Sequence, residues 1–222
     1  MSYIILINPT VQLYSTIRQI LCMMDDMSKR SDSKERMIAA ARRLFREHGY
    51  QGTALSDVVT ESAAPRGSIY FHFPGGKEEL ASEVTLLHTG DHIAHINRAA
   101  AATATAGQLI EAIIGRIRDE LIASNYHEGC AMAPIVIEST PASAQLSDAT
   151  RRGFQDMIAT LAARLTEKNI PASRATQLAT LAWTSVEGAL ILGRVSRSPE
   201  PFDLAIALLA ATADTEANDS IS

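Results

Sequence analysis

Apolar side chains recur along this chain at helical spacing, segment after segment, and that periodicity restricts its fold more than any other feature. Met37, Ile38, Ala41, Leu44 and Phe45 stand at i, i+1, i+4, i+7 and i+8, one stripe of a helix. Arg42, Arg43 and Arg46 fall mainly on its other side, where the ordinary reading is a solvated surface. Leu109, Ile110, Ile113, Ile114, Ile117 and Leu121 repeat the pattern, as do Phe154, Met157, Ile158, Leu161 and Leu165. Aromatic residues are only 5% of the 222 positions while alanine recurs in tracts, a composition suited to closely packed helices rather than sheets. The expected fold class is all-α.

Punctuation divides the helices. Asp32 and Glu35 resemble a capping box at the start of the first helix, and Gly49 supplies a left-handed stop. Thr53 is the expected cap of a short second helix carrying Leu55, Val58 and Val59, and Pro65 the expected first residue of a third, over 66–71. That third helix is polar and narrow at Gly67, Ser68, Tyr70 and His72, with Ile69 and Phe73 to anchor it from behind. Two short helices and a tight turn packed on a longer one make a helix-turn-helix. Pro74-Gly75-Gly76 then breaks the chain before a long helix over 77–101. Further helices are expected over 109–121, from Ala133, from Pro141 to near Asn169, over 173–195 and over 201–212. The last two are apolar around much of their circumference, and a homodimer seam through them removes that exposed patch. Ala182, Gly188 and Ala189 would let the helices approach, with Leu190 and Leu208 filling the seam. The expected domains are a leader over 1–27, read as an over-extended frame before a start at Met24 or Met27, a helix-turn-helix domain over 28–76, a larger helical domain over 77–213, and a frayed tail over 214–222.

Charge separates the two domains. Residues 28–80 hold nine Lys/Arg against seven Asp/Glu, a balance of +2, whereas residues 81–222 hold ten against sixteen, a balance of −6. A locally basic segment on an acidic body fits contact with nucleic acid through one small face. Cys22 and Cys130 lie far apart without a Cys-x-x-Cys partner, so neither a disulfide framework nor a zinc knuckle is expected and a reducing cytoplasm is the natural compartment. No apolar run reaches the ~18 residues of a membrane span. Gly75-Gly76-Lys77 is not a phosphate loop, since Phe71 stands where its first glycine belongs and Glu78 where its Ser/Thr belongs. No catalytic constellation and no cofactor motif is present. His88, His92 and His95 share one helical face and are candidate metal ligands, although polar pocket lining is the plainer reading because no second helix supplies a converging ligand.

The stretch Ser33 to Gly49, then Thr53, then Pro65-Arg66-Gly67-Ser68-Ile69-Tyr70-Phe71-His72-Phe73 followed by Lys77-Glu78-Glu79-Leu80, resembles the TetR DNA-binding domain over about fifty residues. The three-residue break at Pro74-Gly75-Gly76, together with Gly129-Cys130 and Glu187-Gly188-Ala189, is similar to the LmrA/YxaF-like branch. The resemblance implies a homodimer on double-stranded operator DNA, contacted by Ser33, Thr53, Arg66, Gly67, Ser68, Tyr70, His72 and Lys77. Gly67 and Ser68 lack bulk and allow close approach to base edges, Arg66 suits a guanine or a phosphate, and Tyr70 a thymine methyl or a phosphate. Thr53, His72 and Lys77 would meet the DNA backbone. The larger domain would hold a small hydrophobic or aromatic effector among Tyr126, Cys130, Met132, Phe154, Met157, Trp183 and Glu187. The implied function is repression of a palindromic operator relieved by that effector. The alternatives are a constitutive dimeric DNA-binding protein and a helical ligand carrier.

Overall fold

The computed structural model describes residues 32–220; the expected leader and its alternative starts lie outside the described residues. Among the described residues there are nine helices and no strand: α1 (32–48), α2 (Leu55–Glu61), α3 (Ser68–His72), α4 (Gly76–Ala102), α5 (Ala106–Ala123), α6 (Ala133–Ser139), α7 (Ala144–Thr166), α8 (Ala172–Ser196) and α9 (Glu200–Asp219).

The N-terminal helices follow the expected order, with caps that differ. Asp32 is already helical and its carboxylate pairs with Arg36 one turn on, instead of capping α1. Gly49 ends α1 at φ +82, as expected of a left-handed stop. Ala54, not Thr53, is the N-cap of α2, and the Asp57 carboxylate accepts from the Ala54 N–H at 3.1 Å. Thr53 instead donates its hydroxyl to the Gly49 carbonyl at 2.9 Å, closing the α1–α2 turn. Pro65 stands ahead of α3 in a turn where the Ser68 N–H donates to the Pro65 carbonyl at 3.1 Å. Gly67 is the N-cap of α3 at φ +86, a left-handed conformation in which a side chain is strained.

Two cores hold the molecule. Met37, Phe45, Val58, Ile69 and Phe73 pack together with Leu80 and Val84 of α4, Ile135 of α6 and Leu146 of α7. The expected boundary at residue 76 therefore cuts through a core: α1–α3 alone could not bury their apolar face, and the first turns of α4 complete it. The second core joins α4, α5, α7, α8 and α9. Glycines set its closest approaches. A Cβ on Gly153 would lie 2.9 Å from Met132 Cε, and one on Gly107 would lie 2.8 Å from the Ala210 carbonyl oxygen of α9.

Residues 214–219, expected to fray, are helical. Asp214 accepts from the Gly107 N–H at 2.7 Å at the start of α5, and Glu216 accepts from Arg174 Nε at 2.9 Å on α8. Polar composition alone signalled a tail; these anchors prolong α9 past the expected stop near Thr212. A second correction concerns α8, which is long and apolar enough to cross a membrane by composition, with a mean hydropathy of 1.2 over 18 residues. It is a core helix here, burying Leu178, Ala182, Trp183, Val186, Ala189 and Leu190 within its own chain.

Gly107→Ala should destabilise the protein by about 1–3 kcal/mol, the usual cost of forcing atoms into a filled contact. The measurement is the urea midpoint; an unchanged midpoint would contradict the tight α5–α9 approach.

Candidate functional site

The α3 helix stands proud of the fold. Ile69 and Phe73 are buried beneath it, while Tyr70 and Phe71 are 64% and 65% exposed. Arg66 and Gly67 are exposed at its start and Ser68 and His72 half-buried, so one narrow face presents small, cationic and aromatic groups together. Ser68 is tied down by its hydroxyl, which donates to the Pro65 carbonyl at 2.6 Å. Lys77, at the head of α4, sits 4.5 Å from the Tyr50 ring centroid and donates to the Gln51 carbonyl at 3.5 Å. Burial lowers its pKa, an effect that Glu138 opposes. Two of the expected contacts are turned inward: Thr53 is 1% exposed with its hydroxyl engaged on Gly49, and Ser33 is buried. Thr53 thus shapes the turn beneath the reading surface. Phe71, absent from the expected contact set, is as open as Tyr70; its side-by-side position with Tyr70 was the available signal.

The second site is internal. A small chamber lies where α4, α5, α7 and α8 converge below the end of α1, with a volume of about 20 Å³. Cys130, Met157, Trp183 and Glu187 line it, together with His88, His92 and Arg46. Tyr126, Met132 and Phe154 do not. Met132 is fully buried in the packing and its sulfur meets the Thr89 hydroxyl at 3.8 Å. Tyr126 adopts φ +65 after α5 and lies against Arg197, while Phe154 packs on the outer part of the core. These three were grouped by residue type: the turn after α5 carries Tyr126 away, Met132 is enclosed just ahead of α6, and the rotation of α7 turns Phe154 aside.

The His88 and His92 rings meet edge-on at 4.5 Å, and the His92 ring meets Trp183 edge-on at 5.1 Å. Three buried nitrogens here have no hydrogen-bond partner: Nδ1 of His88, Nδ1 of His92 and Nε1 of Trp183. Cys130 Sγ lies 3.8 Å from His88 Nε2 and accepts from the Met132 N–H at 3.3 Å. His95 leaves the group and sets its Nε2 3.2 Å from the Ala112 carbonyl. Among the described residues no three His, Cys, Asp or Glu converge as a metal site.

Arg46, expected on a solvated face, is instead the floor of this chamber. Its Nε donates to the Gly129 carbonyl at 2.9 Å, Nη1 pairs with Glu128 at 2.8 Å and Nη2 with Glu120 at 3.2 Å. The Gly129 N–H returns a bond to the Arg46 carbonyl at 3.0 Å. Farther along α1, Lys34 pairs with Glu83 at 2.6 Å and Arg42 with Asp91. Both pairs have the same sequence offset, 49, so α1 runs alongside α4 in the same direction.

An exposed reading helix on a helical body with an internal chamber is the arrangement found among known regulators. The family profile described as "Bacterial regulatory proteins, tetR family" matches residues 37–84, and that described as "Transcriptional regulator LmrA/YxaF-like, C-terminal domain" matches residues 106–208. An HTH-type transcriptional regulator of Mycobacterium tuberculosis, Rv0196, is 36% identical over 77% of this chain and 89% of its own length. The chain belongs to the TetR family. It is a DNA-binding transcriptional regulator of the LmrA/YxaF-like branch and not an enzyme. LmrA of Bacillus subtilis is 29% identical over 77% of this chain and 90% of its own length. In fold it is similar to a TetR regulator from Legionella pneumophila, with a TM-score of 0.72 and 22% identity over 81% of this chain and 96% of that one. CifR, whose structure includes operator DNA, shares the fold with a TM-score of 0.65 and 18% identity over 79% of this chain and 94% of that one.

Within this family member the chamber is electrically neutral at its deep end. Burial, then the neighbouring His92 and the cations Arg42, Arg46 and Arg116, holds His88 well below the ordinary imidazole range. Burial, then Arg116, Arg42, His95 and Arg46, push His92 down to about 3. Burial raises the Cys130 thiol, with the Glu187 charge adding to it, so this cysteine is a weak nucleophile. Glu187 is itself raised by burial, offset in part by its bond to the thiol.

A histidine that stays neutral when folded but titrates at about 6.5 when unfolded costs stability as pH falls below that value, because only the unfolded state takes up the proton. Folding stability should therefore decline from pH 6.5 towards pH 5, with His92 contributing up to about 1.4 kcal/mol per pH unit. His92→Gln should flatten the decline. Thermal unfolding of both proteins at several pH values measures it, and parallel curves would show that His92 does not carry the linkage.

Proposed function

We propose that the protein represses transcription as a homodimer on a palindromic operator and that a small hydrophobic or aromatic effector releases it. The observation that carries the effector half is the chamber lined by His88, His92 and Trp183, each of which holds a buried nitrogen without a hydrogen-bond partner. Leaving such groups without partners costs free energy unless something polar reaches them. Arg66, Gly67, Ser68, Tyr70 and His72 are the proposed base-edge and phosphate contacts, with Phe71 beside them, and Lys77 the contact to a phosphate. A protein acting on the chromosome works in the cytoplasm.

The dimer reading rests on the outer face of α8 and α9. A groove of about 630 Å³ runs between these helices, lined by Gly188, Leu192, Val195, Leu204 and Leu208. Leu190, Ala182 and Ala189, expected at the seam, are buried in the chain's own core instead, so Leu190→Asp would report on folding and not on assembly. Leu208, 62% exposed, is the better probe. Two such faces brought together hold one α3 per subunit at the spacing of successive major grooves, about 34 Å. Leu208→Asp should yield folded monomers that no longer retard a palindromic site. A wild type that is monomeric at micromolar concentration in ultracentrifugation would overturn the dimer.

Tyr70→Ala and Lys77→Ala should both weaken binding to the DNA upstream of the protein's own gene, in different ways. Lys77→Ala should lower the slope of log affinity against log salt by about one unit with little change in sequence preference, because one fewer counterion is released. Tyr70→Ala should relax sequence preference. Equal loss of specificity in both would contradict the assignment, and failure of the wild type to retard any DNA would favour a ligand carrier.

A further inference from the structure

The chamber adjoins a second, larger space, and Arg46, Gly129, Cys130, Glu187 and Leu190 form the boundary that lines both. That space is a cleft of about 470 Å³ whose walls come from the end of α1, from α6 and from α8. Phe45, Arg46 and His48 of the DNA-reading domain form one wall, and Pro134, Ile137 and Ile191 of the body the other. The size suits a small molecule, for which clefts of about 300–1,000 Å³ are usual. The chamber alone does not: its volume is that of one water-sized polar group, for which about 10–15 Å³ suffices.

We propose that the effector straddles the two spaces, with one small uncharged polar head, a hydroxyl or a carbonyl oxygen, in the chamber and its apolar body in the cleft against α1. The proposal rests on the effector reading above and adds the chemistry of the ligand and its route to the DNA-reading domain. A hydroxyl in the chamber lies among the His88, His92 and Trp183 rings, and small rotations of those rings would bring their unpartnered nitrogens, closed to a water-sized probe as they stand, within bonding distance of it. An anionic head is disfavoured there, since the histidines are held neutral, Arg46 is already matched by Glu120 and Glu128, and the Glu187 carboxyl lines the same wall. The body of the ligand then lies on the Gly129–Cys130 segment, whose carbonyl holds Arg46 Nε. Displacing that segment breaks the tie between α1 and the body. Arg46 is thus a positioning residue through which α1 reads occupancy of the cleft.

The probe is 6-phenyl-1-hexanol, a slender hydroxyl-ended chain with an aryl body, set against benzyl alcohol, which is too short to span chamber and cleft together. The long alcohol should quench the fluorescence of Trp183, the only tryptophan, and weaken binding to the upstream DNA about tenfold, within the usual range of allosteric coupling. Benzyl alcohol should not release the DNA. In Glu128→Gln, which removes one anchor of Arg46 and lines neither space, the long alcohol should still quench Trp183 but release less of the DNA, each protein being compared with its own unliganded state. Arg46→Lys, which keeps the charge but cannot make all three contacts, should also lessen the release when compared at alcohol concentrations that give equal quench. No quench by the long alcohol up to about 1 mM, the limit of weak binding, overturns the proposal. So does equal release by both alcohols at equal occupancy, or undiminished release in the Arg46 and Glu128 variants. Quench without release also overturns it, and a different compound that does release the DNA would then leave the broader effector reading standing.

Discussion

The three-way engagement of Arg46 is the interaction on which the arrangement of this protein depends. A guanidinium withdrawn from water is costly unless it is matched, and removing one partner of such a group is more damaging than never having buried it. Here each guanidinium nitrogen faces an acceptor, and all the acceptors belong to the end of α5 or to the loop that follows. The end of α1 therefore cannot shift against the body without stranding a cation or a carboxylate. Because α3 leans through Ile69 and Phe73 on a core that also holds α1 and the first turns of α4, the orientation of the reading face is inherited from this one anchor and the ion pairs along α1.

The chamber above Arg46 is built the other way. An all-apolar junction of these helices would be easier to fill, yet His88, His92 and Trp183 meet there with nitrogens that no protein atom satisfies. Local departures from good packing and full hydrogen bonding are where functional sites are found in otherwise consistent folds. Desolvation keeps the imidazoles neutral, so these rings offer a donor and an acceptor without charge of their own. Cys130, at the boundary of chamber and cleft, has its thiol held protonated by burial and by Glu187, which makes it a hydrogen-bonding wall and not a reactive sulfur.

The outer surfaces of α8 and α9 complete the picture. Each helix turns one set of apolar residues inward, Trp183 and Leu190 on α8 and Phe202 and Leu209 on α9, and leaves another open, Leu192 and Val195 on α8 and Leu204 and Leu208 on α9. A helix apolar on both sides is half covered by its own chain, and the open half is where the proposed second copy would pack. The chamber and the open face share α8, so the proposed effector and the proposed partner copy would act on one element.

Local chemistry was sufficient to read the all-helical class and the order of the elements. Helical periodicity is a property of neighbours in sequence, and so are the left-handed stop at Gly49 and the break at Pro74-Gly75-Gly76. Among the expected cavity residues, Trp183 and Glu187 were legible as a pair because they lie one turn apart on one helix. The rest belonged to the tertiary structure. Thr53 yielded the cap of α2 to Ala54 because the Gly49 carbonyl claimed its hydroxyl, and α9 outran its apolar pattern because Asp214 found the Gly107 N–H. Periodicity could set Arg46 opposite an apolar stripe, but not show that two carboxylates and a carbonyl from another helix and loop would enclose it. Which side chains converge on the chamber is decided by the rotation and crossing of helices distant in sequence, and spacing along one helix carries no information about where the next one packs.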